Sequence, residues 1–201
     1  MSQPVKRTVS LTPDPAYWQA LGEFVEAFAH IEHFLFNGLT LASGVSPRVA
    51  KALFSGTRAL DAISLLRRIS EISPPSANRD ELEDVFAQIT AINMIRNSIV
   101  HYASIMTSDS GRITTNWARA LTPERIAEHR ISPDMLKDMS ADLDKAGNHF
   151  VSLWTLGSLT LAQRAEELPP LARAWRYKRP QGDSNQSRKS GQTAKRDRRT
   201  P

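Results

Sequence analysis

A long helix-forming stretch decides how the first half of this chain folds; residues 14–44 read DPAYWQALGEFVEAFAHIEHFLFNGLTLASG. Asp14 and Pro15 open the stretch, and proline is common in the first turn of a helix. Apolar side chains then recur at steps of three and four residues up to Gly44, the spacing of one helix face. The members of this stripe are Leu21, Val25, Phe28, Leu35 and Leu39. The pattern predicts a long amphipathic helix.

Helical spacing continues after this stretch. A short helix is predicted at 46–54, a longer one at 57–73, a third at 80–103 and a last long one at 132–168. Each segment begins at Ser, Thr or Asp, residues that can cap a helix. The segments after the first long helix are separated by Ser-Gly or Pro-rich stretches or by the region described next.

Between the third and the last of these segments the pattern changes. Residues 105–117 are rich in Thr and β-branched side chains around Asp109-Ser110-Gly111, which predicts a small β-hairpin. Thr122-Pro123-Glu124 then predicts a helical turn. The fold class expected is all-α, an up-down helical bundle of four to five helices with this small β-hairpin insertion and a disordered basic C-terminal tail. The expected division is a flexible N-terminus at 1–13, the bundle at 14–168 and the tail at 169–201.

Composition excludes several classes of protein. With 201 residues, 40% of them apolar, the chain can form one domain with its own core. It contains no cysteine, which rules out disulfides, zinc–thiolate and iron–sulfur sites and a cysteine nucleophile. The longest nearly apolar run, 150–162, is too short to cross a bilayer, and no apolar run follows the N-terminal cations as in a secretory signal. We therefore expect a cytoplasmic protein with no membrane partner.

The net charge of +5 is unevenly distributed along the chain. Residues 173–201 hold ten Lys/Arg and two Asp, a net charge of +8, whereas the rest holds 16 Lys/Arg against 19 Asp/Glu, a net charge of −3. From about Pro180 onward the segment is Ser, Gln, Gly and cations, which cannot bury enough surface to fold. The tail, and not the domain, is therefore basic.

Two charged residues interrupt apolar stripes. Glu32 occupies a stripe position of the first long helix, and Arg96 does so in the helix predicted at 80–103. A charge buried alone costs several kcal/mol, so each side chain needs a partner or a water-filled site. Two interpretations remain open: a structural buried ion pair between Glu32 and Arg96, or a polar cleft that both residues line.

The residues after Arg96 favour the cleft. They run Arg96-Asn97-Ser98-Ile99-Val100-His101. Asn97 and His101 are four residues apart and share a helix face, so the amide can orient the imidazole. Arg96 and His101 stand about 140° apart around the helix and would flank a groove. A guanidinium that binds phosphate beside an imidazole that titrates near neutrality suits cleavage of a phosphodiester.

Arg96 to His101 resembles the Arg-x4–6-His motif of the HEPN superfamily (higher eukaryotes and prokaryotes nucleotide-binding domains), in which a polar residue, here Asn97, often follows the arginine. The resemblance covers about residues 14–165 and implies a four- to five-helix bundle. Many members are metal-independent endoribonucleases of bacterial defence or toxin–antitoxin systems. They act as dimers with a composite cleft, and an acidic residue on an earlier helix, here Glu32, often supports the motif.

The resemblance implies an RNA-cleaving homodimer with Arg96 on the phosphate, His101 as acid or base, and 2′,3′-cyclic phosphate products. An antitoxin or other regulatory protein is a further implied partner. One alternative is a catalytically silent HEPN-like module that binds RNA or protein. Another is a helical scaffold unrelated to HEPN.

No cofactor or metal is expected. His30, Glu32 and His33 do not converge as ligands, and the chain has no Gly-rich phosphate loop. The start of the tail interleaves aromatics with cations, a composition that can stack on single-stranded bases and neutralise phosphates. The residues predicted to bind RNA in this way are Arg173, Trp175, Arg176, Tyr177, Lys178 and Arg179. A merely solubilising tail is the alternative.

Overall fold

The structure, a computed structural model, describes residues 14–72, 79–102, 104–107, 111–155 and 175–178. These residues are mostly helical, with a small antiparallel sheet of three strands. The helices are α1 (Pro15–Ser43), α2 (Pro47–Phe54), α3 (Ala59–Ile72), α4 (Arg79–Tyr102) and α5 (Pro133–Thr155). Within the described ranges, no helix has the length and apolar character needed to cross a membrane. The predictions for residues 1–13, for 156–168 of the last helix and for most of the tail lie outside these ranges.

Capping residues set the helix ends. Asp14 Oδ1 accepts a hydrogen bond from the N–H of Tyr17 at 3.1 Å, and Ser132 Oγ accepts one from the N–H of Met135, also at 3.1 Å. Helix α1 ends at Gly44, whose φ of 66° lies in the left-handed region that glycine adopts most readily. The predicted start and end of the first helix and the start of the last are therefore confirmed.

The buried face of α1 is rotated relative to the predicted stripe. Val25 is 50% exposed and Leu21 is only partly buried, whereas Phe28, Leu35 and Leu39 are buried as predicted. The buried residues of α1 are Tyr17, Ala20, Phe24, Ala27, Phe28, Ile31, Leu35, Gly38 and Leu39. Because the true face is centred on Phe24 and Ile31, Glu32 lies at its edge and is half-buried.

Helices α1 and α5 run in the same direction and pack closely through glycines. A Cβ added to Gly38 would collide with the Phe150 ring, and one added to Gly147 would lie 2.8 Å from the Phe34 ring. These glycines let the two helices approach each other. Alternation of the four long helices alone would make α1 and α5 antiparallel, whereas alternation through all five helices, with α2 included, makes them parallel. The up-down order of the bundle stays a prediction.

Helix α4 runs antiparallel to α1. Tyr17, in the first turn of α1, has its hydroxyl 2.7 Å from Ser104 Oγ just after α4 ends, and Phe28 lies beside Arg96 further back along α4. A later residue of α1 therefore contacts an earlier residue of α4, as in antiparallel helices. The C-terminal turns of α4, which carry the predicted motif, lie beside the N-terminal half of α1.

The predicted hairpin is confirmed and belongs to a larger sheet. Strands β1 (Ile105–Thr107) and β2 (Gly111–Thr115) pair antiparallel, with Met106 opposite Arg112. The predicted helical turn is a short 3-10 helix, Pro123–Arg125. A third strand that was not predicted, β3 (Glu128–Ile131), pairs antiparallel with β2. Thr114 Oγ1 donates to the Ser98 carbonyl at 2.9 Å, which fixes this sheet against α4.

A segment assigned to the tail packs on the domain instead. Asp142, buried on α5, accepts hydrogen bonds from the backbone N–H groups of Arg176 and Tyr177 at 2.9 and 2.8 Å. Gln88 of α4 donates to Asp142 at 2.8 Å and to the Tyr177 carbonyl at 3.1 Å. Trp175 packs against the core beside Lys145. For residues 175–178, the prediction of a disordered tail is therefore wrong.

Candidate functional site

Arg96 is half-buried in the C-terminal half of α4, and its guanidinium has two described contacts. Its Cζ lies 5.3 Å from the centroid of the Phe28 ring, a cation–π distance. Its Nη1 donates to Asn97 Oδ1 at 3.1 Å. A guanidinium carries five N–H donors. These contacts therefore orient the group and leave most of its donors available to an anion.

Asn97 contacts the arginine and not the histidine. Its side-chain oxygen accepts the hydrogen bond from Arg96, and no hydrogen bond joins Asn97 to His101 among the described residues. The prediction that the amide orients the imidazole is therefore wrong. The four-residue spacing permits such a contact, but the neighbouring guanidinium, as a charged donor, is the stronger partner for the amide oxygen.

His101 lies in the last turn of α4 and is exposed. Its ring stands 6.4 Å from that of Tyr102 in an edge-on arrangement. Since five residues of helix separate it from Arg96, the two side chains start about 7.5 Å apart along the axis. An exposed imidazole of this kind can exchange protons with a ligand that the guanidinium holds.

Glu32 does not pair with Arg96. Both residues are described, and no ion pair within 4 Å joins them. Because Phe28 is the α1 residue that meets Arg96, Glu32 lies one turn further along α1, about 6 Å away along the axis. The interpretation of the two residues as a buried ion pair is therefore wrong. Arg96 tolerates its partly buried position through the Phe28 ring and Asn97.

Several apolar side chains of α4 and α1 are exposed. Val100, directly before His101, is 54% exposed, and Met94, one turn before Asn97 and Ser98, is also exposed. On α1, Trp18 and Val25 are exposed as well. Exposed apolar side chains of this size are available for contact with a partner.

The described part of the tail separates into buried aromatic and exposed cationic side chains. The Tyr177 ring is buried and Trp175 is half-buried under Lys145, so the prediction that both stack on bases as part of a free tail does not fit this arrangement. Arg176 and Lys178 are exposed and stay available to phosphates. Arg173 and Arg179 lie outside the described residues.

His30 and His33 are exposed on α1, and the His33 ring nitrogen is 3.0 Å from the Asn37 amide. Among the described residues, no group of three His, Cys, Asp or Glu side chains is placed to hold a metal ion.

Two residues that sequence patterns did not single out stand out in the structure. Asp142 anchors residues 175–178, and Arg112 lies on β2 with its side chain 10% exposed. The one sequence signal for Arg112 is that it alternates with Thr114, so that both lie on one face of a strand; the predicted hairpin already implied this alternation.

Comparison of the chain with known protein families, with curated proteins and with solved structures finds no match.

Proposed function

We propose that this chain is a metal-independent endoribonuclease of the HEPN type, with Arg96 and His101 as its catalytic residues. One observation carries the proposal: a half-buried guanidinium, oriented by Phe28 and Asn97, lies on the same helix end as an exposed imidazole. The burial of Val85, Ile89 and Ile92 on α4 supports the proposal, because the motif is expected to follow the apolar stripe of a packed helix.

In the proposed reaction Arg96 binds the scissile phosphate and stabilises the negative charge that develops on its oxygens. His101 removes the proton from the ribose 2′-hydroxyl, whose oxygen then forms a bond to phosphorus. The bond from phosphorus to the 5′-oxygen breaks, and that oxygen takes a proton from the His101 of a second copy. The products are a 2′,3′-cyclic phosphate and a 5′-hydroxyl, and DNA, which lacks the 2′-hydroxyl, is not cut.

The second copy would bind over the face that carries the motif. Exposed apolar side chains on α1 and α4, namely Trp18, Val25, Met94 and Val100, support a homodimer because burying them removes apolar surface from water. A twofold axis through this face would bring two Arg96–His101 pairs into one cleft. The HEPN resemblance implies the same composite arrangement.

We further propose RNA as the substrate, with the cations of the C-terminal residues raising its local concentration by charge attraction. The resemblance implies a role in bacterial defence or a toxin-like role in the cytoplasm. An antitoxin or other regulatory protein would then control the activity.

The contact between Arg96 and Phe28 also favours a second candidate, a catalytically silent HEPN-like module that binds RNA or protein. An arginine whose only task is to cover the edge of a core would stack on an aromatic ring in the same way. In that module His101 would be a surface residue without a chemical role.

The deciding experiment incubates purified protein with mixed RNA or sequence-matched DNA in the presence of EDTA. We expect the wild type to cut RNA alone and to leave cyclic-phosphate ends, and His101→Ala to lower the rate by about 10²-fold or more. His33→Ala, another exposed histidine, serves as the matched control and should cleave at the wild-type rate. No cleavage by folded, dimeric wild type would favour the silent module, and cleavage that survives His101→Ala would rule out the motif as the active site.

A further inference from the structure

A cavity of about 410 Å³ lies at the end of the molecule where α1 and α5 both begin. The capping residues of the two helices, Asp14 and Ser132, line it, and strands β1 to β3 close it from the side. Its size is within the usual range for small-molecule sites. The catalytic residues proposed above are not part of its lining.

Arg112 supplies an underused charge to this cavity. Its side chain is 10% exposed, yet its Nε–H has no hydrogen-bond partner. Asp14 Oδ2 lies 3.8 Å from Nε, which makes an ion pair but no hydrogen bond, and Nη1 makes only a long contact of 3.5 Å to Ser104 Oγ. Nε is shielded from solvent, so the donors of Arg112 that remain for a ligand are those on its two Nη atoms.

The guanidinium is held in place by aromatic rings. Its Cζ lies 4.1 Å from the centroid of the Tyr17 ring and 5.2 Å from that of Trp18. Asp14 cannot easily move toward it, because Asp14 Oδ1 accepts the capping hydrogen bond from the N–H of Tyr17. The position of Arg112 is therefore fixed by contacts that leave its hydrogen-bonding capacity largely unused.

The ends of two helices set the electrostatics of the cavity. Its lining contains the guanidinium of Arg112 and the carboxylate of Asp14; Arg130 also lines it, but the register of β2 and β3 puts the Arg130 side chain on the opposite face of the sheet from Arg112. The positive ends of the helix dipoles of α1 and α5 point to the same place and add to the potential. The first-turn N–H groups of Tyr17 and Met135 are already bonded to their caps, so Arg112 would supply the hydrogen bonds.

The rest of the wall is apolar. Met106, Ile131, Pro133 and Met135 contribute side chains that can pack on a flat ring but offer it no hydrogen bonds. A bare inorganic ion would leave this surface unused. The wall therefore fits a ligand with an apolar or aromatic body behind its charged group.

We infer that the cavity is a binding site for a small organic anion, a ring system of about the size of a nucleoside monophosphate that carries one phosphate or carboxylate. Arg112 binds the anionic group through the N–H donors of its Nη atoms, and the N-terminal ends of α1 and α5 add positive potential. The ring packs between the methionines and Pro133. This site is independent of the proposed ribonuclease and stands whether or not RNA is cut.

The test is isothermal titration calorimetry of the full chain with the four nucleoside 5′-monophosphates and with indole-3-acetate as an aromatic carboxylate. Adenosine and inorganic phosphate are the controls for the ring and for the charge alone. We expect at least one ring-bearing anion to bind, and its affinity to exceed that of either control at least about tenfold. A response to the nucleotides alone assigns a phosphate ligand, and a response to indole-3-acetate alone assigns a carboxylate.

Two variants test the location. Arg112→Gln removes the guanidinium, and Met106→Trp fills the cavity while Arg112 stays in place, so that one informative variant remains if the other does not fold. Each should weaken binding at least about tenfold, whereas Arg125→Gln, an exposed arginine outside the lining, should not change it. Absence of binding by all five anions at millimolar concentration would overturn the inference. Binding that both folded variants retain would also overturn the inference. So would binding that is lost only in Arg96→Gln, since the ligand would then occupy the proposed catalytic site instead of this cavity.

Discussion

Arg96 of α4 stacks on Phe28 of α1, with 5.3 Å between the guanidinium carbon and the ring centroid. This contact explains how a cation can occupy a helix face that is otherwise apolar. The ring covers one side of the guanidinium plane, the aliphatic part of the side chain adds apolar contact, and the N–H groups at the rim stay available to Asn97 and to a ligand.

Replacing Arg96 should therefore cost a moderate amount of stability. We expect Arg96→Ala to lower the free energy of unfolding by about 1–2 kcal/mol, because the variant lacks the stacking on the ring and the packed side chain. Glu32→Gln should change it by less than about 0.5 kcal/mol, since Glu32 has no ion pair with Arg96. Urea denaturation of the two variants measures both values. Equal decreases of about 3 kcal/mol would instead indicate a buried pair between the two residues.

The sequence predicts the ends of α1 well but the direction of its buried face less well. Caps act through neighbouring residues, so Asp14 and Gly44 are sufficient to define the helix. The buried face depends on where other helices pack. Val25 and Leu21 suit a core as well as Phe24 and Ile31 do, and the positions of the helices that pack on α1, chiefly α3 and α5, decide between them. Because the predicted stripe contained Leu21 and Val25, it also placed Glu32 in the core.

Long-range pairing limits the prediction of the sheet and of the candidate site. The hairpin of β1 and β2 is local and follows from turn and strand propensities, whereas β3 is defined only by pairing with β2. In the site, Arg96 and His101 come from one helix and their spacing is visible in the sequence. The contact with Phe28 and the anchoring of Tyr177 on Asp142 join distant segments and could not be predicted.

Asp142 should be one of the more sensitive positions in the chain. Its carboxylate accepts hydrogen bonds from Gln88 and from the N–H groups of Arg176 and Tyr177 while it is 1% exposed. We expect Asp142→Ala to lower the free energy of unfolding by about 3 kcal/mol, because buried donors are left without a charged acceptor. Trypsin should then cleave after Arg176 and Lys178 faster than in the wild type, since their segment is no longer anchored.

Asp144, exposed on the same helix two residues further on, is the matched control. Asp144→Ala should stay within about 0.5 kcal/mol of the wild type and keep the wild-type rate of cleavage at both sites. Faster cleavage in Asp142→Ala with an unchanged free energy of unfolding would mean that residues 175–178 dock without contributing to global stability.

The docked segment also determines where the basic residues should be truncated. Removal of residues 179–201 takes away seven Lys/Arg and two Asp, and should leave the melting temperature unchanged. It should weaken RNA binding and make the affinity less dependent on salt. The slope of log K against log salt concentration should become less steep by about 0.7 for each phosphate that the protein no longer neutralises. A full-length variant with residues 179–201 in shuffled order should bind as the wild type does. Equal salt slopes for the truncated and full-length chains would show that these cations do not contribute to RNA binding.

If the chain cuts RNA as proposed, mixing wild-type and variant copies counts the histidines that one cleavage event needs. If each event uses the His101 of two protomers, a dimer with one His101→Ala copy is inactive, and only dimers of two wild-type chains cut RNA. After subunit exchange in an equal mixture, the rate per total protein should fall to about one quarter of the wild-type rate. If each copy acts alone, the rate falls to about one half, because half of the chains keep a complete site.

His33→Ala is the control for the exchange step. A mixture of wild type with His33→Ala should keep the wild-type rate, which would show that subunit exchange does not itself lower activity. A rate near one half, with exchange verified by differently tagged copies, would argue for a site contained within one protomer and against the composite cleft.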